Sequence, residues 1–392
     1  MLVIEFMKDN FEHLDCNAGI LAQILSHAEQ EPIHIFCGDS HFKNLKQKLD
    51  NYQINTSKLV HHKIIPIGKI IRDYSHFTHQ LKIIKNIVDF SIKNNESNIL
   101  FLYTTPFSLY FLKVFCTIYK SINIKTIIHS ELEKIDLKEY LSNTPKNKFQ
   151  VFFYVLLFGI RNPLKLPTPK NLKYVVYGKS IKNNLIKILP KIENSVIDIP
   201  LPTLYNYNIA PKSIAVPLKF GVIGQCSKAK NSSTISKLLK ELTEMKVENF
   251  QIVFTGYITD ELLFKYLQNS QYVDPKHVSN SMVSDYERNK LLVQIDYALF
   301  TYKLNSYKYT ASGALIDAIN FEKPIIALSN DYVKSYFDIY GNIGYLCNSY
   351  EELKNKIITI TKNFPKEEYE IQVKNIQNIK KRENLKNIPY LF

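Results

Sequence analysis

One stretch near the end of the chain decides the fold: residues 307–327 read YKYTASGALIDAINFEKPIIA. Three small residues at 311–313 open an apolar helical pattern that continues to residue 320. A lysine-proline step then ends the helix and leads into a strand pattern at 324–328. The first turn of a helix leaves backbone amides free, and such amides bind anions. The stretch therefore predicts an α/β unit with an anion-binding helix start.

The same alternation of strand and helix patterns extends through the rest of the chain. Strands are predicted at residues 2–6, 33–37, 64–67, 99–103, 124–129, 174–177, 218–223, 250–254, 297–302 and 324–328. Most of the intervening segments are long enough for a helix, which indicates βαβ units and parallel sheets. The predicted fold class is therefore α/β, with Rossmann-like lobes.

A proline-rich region divides this alternation into two parts. Four prolines between residues 200 and 217 exclude a helix or a central strand, so we place a domain junction there. We expect an N-terminal domain over 1–205 and a second domain over 206–365, facing each other across a cleft. The charged helical tail at 366–392 either crosses back to the first lobe or is a solvated terminal helix.

Length and composition are those of a two-domain globular protein. The chain has 392 residues, of which 45% are hydrophobic and 22% charged. Its five cysteines are scattered, odd in number and never in a C-x-x-C pair, which argues against a disulfide framework or a structural zinc site. This cysteine usage fits a reducing cytoplasm. The first residues read as a strand rather than a signal peptide, so we expect a cytoplasmic protein.

The net charge of +14 leaves several classes of partner open. Such a charge suits nucleic acid, an anionic membrane surface or phosphorylated substrates. Asn, Ile, Lys and Tyr are abundant, as in proteins from AT-rich genomes. Mutational bias therefore explains part of the lysine excess as well as a functional basic surface does. The chain carries none of the usual signatures of a nucleic-acid-binding module, and we expect no nucleic-acid partner.

A glycine-bearing loop at residues 221–233 reads GVIGQCSKAKNSS and lies between a predicted strand and a predicted helix. Glycine lets the backbone approach a ligand, and the hydroxyl-rich helix start is expected to offer free amides to an anion. Two lysines add positive charge where a diphosphate needs it. The candidate residues are Gly224, Gln225, Lys228 and Lys230. The alternative is a polar turn whose lysines face water.

The stretch at 307–327 supplies the second group of candidates. Its helix start holds Tyr309, Thr310, Ala311, Ser312 and Gly313. Asp317 lies about one turn further along, where a carboxylate accepts hydrogen bonds from the two hydroxyls of a ribose. The alternative is an N-capped helix with an exposed aspartate.

These residues resemble the donor-binding segment of GT-B glycosyltransferases. Within that fold the chain is most similar to the large retaining group with the pattern E-x7-E followed by A-x-x-x-G-x-P-V-I. Asp317 and Ala318 match the second acid and its alanine, and residues 324–326 match P-V-I. Lys230 falls where this group's phosphate-binding lysine is expected. The first glutamate is replaced by Tyr309, and Gln225 stands where an arginine is common.

The resemblance implies a metal-independent glycosyltransferase without a cofactor, retaining rather than inverting. The donor would be a nucleotide sugar, with its diphosphate at residues 224–230 and 311–313 and its ribose on Asp317. The acceptor would be a saccharide or a lipid-linked saccharide, in bacterial surface-polysaccharide, lipopolysaccharide or glycolipid assembly. The alternatives are a sugar-nucleotide epimerase or hydrolase of the same fold, and a basic nucleic-acid-binding protein.

The first lobe contributes three further candidates. Asn17 and Gly19 follow the first strand and resemble the glycine-bearing loop that admits the acceptor in this fold. His129 follows another strand and resembles a histidine that contacts the donor sugar. A histidine there either hydrogen-bonds a hydroxyl or acts as a base in an inverting enzyme. The alternative is a surface histidine beside an acidic helix start.

An apolar run at residues 151–160 reads VFFYVLLFGI. It is shorter than the roughly 20 residues of a spanning helix. It is either a buried core helix or a segment that dips into the membrane interface. Basic residues flank it at Lys146, Lys148, Arg161, Lys165 and Lys170. The second alternative predicts a peripheral membrane contact through 146–170 and a lipid-linked acceptor at the inner leaflet.

Overall fold

The computed structural model describes residues 1–7, 9, 13–27, 31–67, 74–136, 159–209, 214–227, 230–388 and 391. These residues form two compact units. The first contains Met1–Leu204, Tyr309–Ala311 and Glu383–Phe392, and the second contains Tyr205–Lys308 and Ser312–Arg382. Each unit is built around one parallel sheet with flanking helices, as the alternating sequence pattern predicts.

The first unit holds a seven-stranded parallel sheet. Its strands are β1 (Leu2–Ile4), β2 (Ile33–Cys37), β3 (Leu59–Lys63), β4 (Asn98–Phe101), β5 (Asn123–Ile127), β6 (Leu172–Tyr177) and β7 (Val196–Ile199). Their order is β3-β2-β1-β4-β5-β6-β7, and every neighbouring pair is parallel. The strand predicted at 64–67 is displaced, because the pairing with β2 uses residues 59–63 instead.

Helices connect these strands. They are α1 (Leu14–His27), α2 (Asp39–Asn51), α3 (Tyr74–Lys93), α4 (Pro106–Ile118), α5 (Arg161–Lys165) and α6 (Lys179–Ile188). The start of α4 shows why the sequence places a helix there. Thr105 and Ser108 form a capping box, and Pro106 occupies the first turn, where its missing N–H costs nothing.

The second unit holds a five-stranded parallel sheet. Its strands are β8 (Leu218–Val222), β9 (Phe250–Phe254), β10 (Tyr297–Phe300), β11 (Ile325–Leu328) and β12 (Gly344–Cys347). Their order is β12-β11-β10-β8-β9. In both sheets the order reverses beside the first strand, between β1 and β4 and between β8 and β10. Ligands of open α/β sheets bind at such switch points, beyond the carboxyl ends of the strands.

The helices of the second unit are α7 (Ser232–Glu244), α8 (Glu261–Leu267), α9 (Asp285–Gln294), α10 (Gly313–Asn320), α11 (Asp331–Tyr340), α12 (Tyr350–Lys362) and α13 (Lys366–Arg382). Residues 284–287 have the S-x-x-E spacing of a capping box, and Ser284 and Glu287 do cap α9 reciprocally. The helical tail divides at residue 382: α13 belongs to the second unit, and the residues after it group with the first.

The described helices include none that is both long enough and apolar enough to cross a membrane. Most of the run at 151–160, and the lysines at 146 and 148, lie outside the described residues. The predicted contact of 146–170 with a membrane therefore stays a prediction.

Candidate functional site

The candidate site of the second unit lies at its switch point, where the loops after β8 and β10 meet. Gly224 has a φ of 76°, a left-handed conformation that favours glycine. A Cβ atom placed on Gly224 would lie 3.9 Å from the Cβ of Ala314 and 3.9 Å from the Nζ of Lys230. The fold thus brings the glycine turn, a lysine and the start of α10 together, as the sequence predicts.

Asn231 ties the two loops to each other. It precedes α7 in a left-handed conformation with a φ of 63°. Its side chain does not cap the helix; instead Nδ2 donates a hydrogen bond of 2.7 Å to the carbonyl oxygen of Thr301, directly after β10. The polar loop after β8 is therefore held in place by its neighbour across the switch point.

A third loop supports the glycine turn from the side of β9. A Cβ atom on residue 256 would lie 2.4 Å from the carbonyl oxygen of Gly224, far inside van der Waals contact. Only glycine permits this close approach. Gly256 was not among the predicted site residues, although the Thr255-Gly256 sequence after a strand was a usable signal.

The start of α10 leaves backbone amides beside open space. Ser312 is fully buried and caps the helix, with its Oγ accepting a hydrogen bond of 3.3 Å from the amide of Leu315. The first intrahelical bond of α10 runs from the amide of Ile316 to the carbonyl of Ser312 at 3.3 Å. The amides of Gly313 and Ala314 come before that bond, so helical geometry gives them no acceptor. A Cβ atom on Gly313 would meet no described atom within 4 Å, which leaves open space beside these amides.

The start of α7 differs from the prediction of free amide donors. The amide of Ser232 donates to the carbonyl of Ser227 at 3.1 Å, and its hydroxyl donates to Asp260 Oδ2 at 2.7 Å. Asp260 also caps α8 by accepting from the amides of Leu262 and Leu263. These groups satisfy one another inside the protein, so the amide and hydroxyl of Ser232 are not free to bind an anion.

Asp317 lies one turn into α10, beside an arginine that no sequence pattern singled out. Its Oδ2 is 4.0 Å from Nη1 of Arg288 on α9, and about a quarter of each side chain is exposed. Arg288 is also 3.4 Å from Asp285 in the first turn of the same helix. The Asp285–Arg288 spacing marks a helix-surface ion pair in sequence, but nothing local indicates that it reaches Asp317.

The remaining candidates for donor binding do not all lie in the same unit or among the described residues. Gln225 is partly buried in the glycine loop, and Lys228 lies outside the described residues. Tyr309, Thr310 and Ala311 are buried and group with the first unit rather than with Ser312 and Gly313. Thr310 Oγ1 donates a hydrogen bond of 3.2 Å to Oε1 of Glu133, a first-unit residue that the sequence did not single out.

The prediction that Asn17 and Gly19 lie in a glycine-bearing loop is wrong, and their predicted role at the acceptor stays a prediction. Both lie inside α1 and are buried. Asn17 Nδ2 donates to Glu5 Oε2 at 3.1 Å and lies 3.1 Å from Nε2 of His41. A Cβ on Gly19 would lie 2.4 Å from the carbonyl oxygen of Pro202. Here the amide of Asn17 satisfies a buried carboxylate, and Gly19 lets the helix pack closely against backbone.

His129 follows β5, next to the switch point of the first sheet. Its ring lies 5.7 Å from that of His13 and 5.5 Å from that of Tyr177, both edge-on. Burial, and secondly the neighbouring His13, lower its pKa to about 4. The imidazole is therefore neutral at pH 7, able to donate and accept a hydrogen bond but weak as a base.

Two residues that the sequence did not single out complete this group. Tyr103 follows β4 and shares a hydrogen bond of 2.8 Å with Ser130, and burial raises its pKa to about 12. The His13 ring lies 5.8 Å from that of Tyr103. His13 follows β1 and Tyr103 follows β4, the two strands that flank the switch point. Their positions after these strands would have identified both residues once the strand order was known.

The described residues contain no cluster of three or more histidine, cysteine, aspartate or glutamate side chains suited to a metal ion. The expectation of a metal-independent enzyme stays a prediction.

No protein-family model matches the chain, and no curated protein matches it in sequence. Solved structures do match over nearly its whole length. Anabaena Alr3699/HepE in complex with UDP and glucose aligns with a TM-score of 0.61 at 12% identity, covering 98% of this chain and 95% of that one. A point mutant of S. aureus TarM with Fondaparinux, alpha-GlcNAc-glycerol and UDP gives a TM-score of 0.59 at 11% identity, covering 98% and 97%.

A third match is the lipopolysaccharide outer core galactosyltransferase WaaB in its apo form. Its TM-score is 0.59 at 12% identity, and the alignment covers 98% of this chain and 97% of WaaB. These are GT-B glycosyltransferase structures, and the resemblance predicted from residues 307–327 is confirmed at the level of the fold. The chain has a GT-B-like fold.

Proposed function

We propose that this protein is a glycosyltransferase that moves a sugar from a nucleotide-sugar donor to a saccharide or lipid-linked saccharide. The observation that carries the proposal is the meeting of Gly224, Lys230 and the start of α10 at the switch point of the second sheet. HepE has been crystallised with UDP-glucose and a TarM mutant with UDP, which supports a nucleotide-sugar donor for a chain of this fold.

In this proposal the donor diphosphate lies at the start of α10. The amides of Gly313 and Ala314 donate to its oxygens, and the Lys230 ammonium offsets its charge. When the bond from the sugar's anomeric carbon to the phosphate oxygen breaks, both electrons stay on the nucleoside diphosphate. Fixed amides and a lysine stabilise that developing charge without having to reorganise. Asp317 accepts hydrogen bonds from the ribose hydroxyls.

His129 is proposed to hydrogen-bond a hydroxyl of the bound sugar. Its low pKa makes it a weak base at pH 7, which suits a retaining transferase better than an inverting one that needs a strong base for the acceptor hydroxyl. The acceptor oxygen forms the new bond to the anomeric carbon. Its proton passes to the departing diphosphate in a retaining enzyme, or to a base in an inverting one. The WaaB match supports an acceptor in lipopolysaccharide or related surface-glycan assembly.

The test begins with ligand-induced stabilisation. The purified protein is melted with UDP, GDP, CMP and ADP and with the matching nucleotide sugars, because a ligand of the folded state raises Tm by mass action. One nucleoside diphosphate is expected to stabilise the parent and to lose about tenfold in affinity in Lys230→Gln, the usual scale for one charge-assisted contact.

Lys290→Gln, an exposed lysine of α9, is the matched control and is expected to bind like the parent. Equal affinity in Lys230→Gln and Lys290→Gln would show that the donor site is misplaced. NMR of donor and acceptor mixtures then separates transfer from its alternatives. Release of free sugar or of an epimer without a glycoside product would contradict the transferase assignment.

A further inference from the structure

Helix α4 of the first unit is apolar on two opposite faces. Its inner face carries Leu109, Leu112 and Cys116, which are at most 1% exposed. Its outer face carries Val114 and Ile118, which are 56% and 62% exposed. A helix that is apolar all round is normally covered on all sides, so an exposed outer face indicates an interaction surface.

A buried lysine brings a further apolar residue to this helix. Lys113 is 6% exposed, and its Nζ donates to the carbonyl of Leu166 at 2.6 Å and to Thr168 Oγ1 at 3.3 Å. These bonds hold the loop after α5 against α4. Leu166 itself is 46% exposed. We call Val114 and Ile118, together with Leu166 on the adjoining loop, the α4 face.

The two stretches of sequence that contain the α4 face have basic residues and no acidic ones, and the next acidic residue along the chain after them is the exposed Glu193. Residues 97–130, which include α4, contain no Asp or Glu, and neither do residues 140–192, which include α5 and its loop. The basic residues of the second stretch are Lys146, Lys148, Arg161, Lys165, Lys170, Lys173, Lys179, Lys182, Lys187 and Lys191. In a chain with 36 acidic residues this is a strong local bias. The exposed Lys120, Lys165 and Lys170 lie next to the α4 face in sequence and have no acidic residue within these stretches.

We propose that the α4 face docks onto the surface of an anionic lipid bilayer. Apolar side chains flanked by lysines match such a surface, because the side chains enter the headgroup boundary while the ammonium groups contact lipid phosphates. A second copy of the chain is a poor occupant, since two such faces would place like charges opposite each other. The inference concerns a surface outside the donor site, so it stands or falls separately from the proposed function.

The test is co-sedimentation with vesicles of phosphatidylcholine alone and of phosphatidylcholine with 40% phosphatidylglycerol. The parent is expected to bind the anionic vesicles, and to bind them less in 0.5 M than in 0.05 M salt. The triple variant Lys120→Gln, Lys165→Gln, Lys170→Gln is expected to lose about a hundredfold in partition coefficient, at roughly 1 kcal/mol for each lysine. The control triple variant changes three exposed lysines of the second unit, Lys246, Lys290 and Lys303, to Gln.

The apolar part is tested by Val114→Ser with Ile118→Ser. Both side chains are exposed, so Tm is expected to change little while vesicle binding falls about tenfold, on the scale of two partly buried apolar side chains. Leu262→Ser, at a residue that is 76% exposed in the second unit, is the control. Equal binding to both vesicle types, or unchanged binding in the α4 variants, would overturn the proposal. A parent dimer that Val114→Ser with Ile118→Ser dissociates would also overturn it, in favour of a second copy.

Discussion

A Cβ atom on residue 256 would lie only 2.4 Å from the carbonyl oxygen of Gly224. The backbone of the loop after β9 therefore packs directly against the turn after β8, and that turn faces the start of α10. Because the contact is between backbones, no side-chain rearrangement relieves it. The shape of the proposed phosphate site thus depends on Gly256, which is not among the predicted site residues.

We expect Gly256→Ala to displace the Gly224 turn. The clash with backbone is expected to cost about 1–3 kcal/mol of stability, the usual cost of forcing extra atoms into a packed position. Binding of the nucleoside diphosphate is expected to weaken as well, because the turn moves away from the helix start. Urea unfolding and calorimetric titration measure the two effects.

Gly313→Ala is the matched control, since a Cβ there meets no described atom within 4 Å. Its unfolding free energy is expected to match the parent. Its nucleotide affinity is expected to fall, because the added methyl group enters the space reserved for the phosphate. An alanine at 313 that changes neither quantity would contradict the placement of the diphosphate.

Asp317→Asn tests the ribose contact separately from the phosphate contact. An amide is a weaker acceptor for the two hydroxyls, so affinity for the nucleoside diphosphate is expected to fall about tenfold, within the range for hydrogen bonds to a charged group. Inorganic pyrophosphate lacks a ribose and is expected to bind the variant as well as the parent. A parallel loss for both ligands would mean that Asp317 acts on the phosphate site or through Arg288 instead.

The sequence was sufficient to predict the α/β class and the donor-side loops, because both depend on local patterns. A glycine turn after a strand and a small-residue helix start are visible in a few consecutive residues, as at Gly224 and Gly313. Strand order was not visible. The switch points that bring His13 and Tyr103 near His129 emerge only from pairing between distant strands.

The error at Asn17 and Gly19 has a physical origin. A glycine soon after a strand reads as a turn, but this glycine lies inside α1, where the backbone at Pro202 leaves no room for a Cβ. That constraint comes from a residue far along the chain. Arg288 was missed for the same reason, since its approach to Asp317 joins two helices that share no sequence pattern.

Lys380 anchors the far end of α10. It is 1% exposed, and its Nζ donates to Glu322 Oε1 at 2.7 Å and to the carbonyls of Asn206 and Asn320 at 2.6 and 3.1 Å. Lys380→Met is expected to cost about 3–5 kcal/mol, because the carboxylate of Glu322, which is 17% exposed, and the carbonyls of Asn206 and Asn320 lose their shared cation. Adding Glu322→Gln is expected to recover part of that loss. Lys374→Met, on the exposed side of α13, is the control in urea unfolding; a loss as large as that of Lys380→Met would contradict the anchor.

His129 is expected to make stability depend on pH. Its pKa in the folded protein is about 4, below the ordinary 6.5, so the unfolded chain takes up the proton first as pH falls. The contribution of the neutral His129 ring to the free energy of unfolding is therefore fully present above pH 6.5 and is lost between pH 6.5 and 4. Between pH 7 and pH 5 the loss is about 2 kcal/mol, from 1.36 kcal/mol per pKa unit.

The His129→Gln variant isolates this contribution, because glutamine hydrogen-bonds but does not titrate. The difference in unfolding free energy between pH 7 and pH 5 is expected to be about 2 kcal/mol smaller in the variant than in the parent. His27→Gln, at an exposed histidine of α1, is expected to keep the parent's full pH dependence. If His129→Gln also keeps the full pH dependence, the surroundings of His129 do not lower its pKa. His129 would then be able to act as a base at pH 7, which would remove the argument for a retaining mechanism.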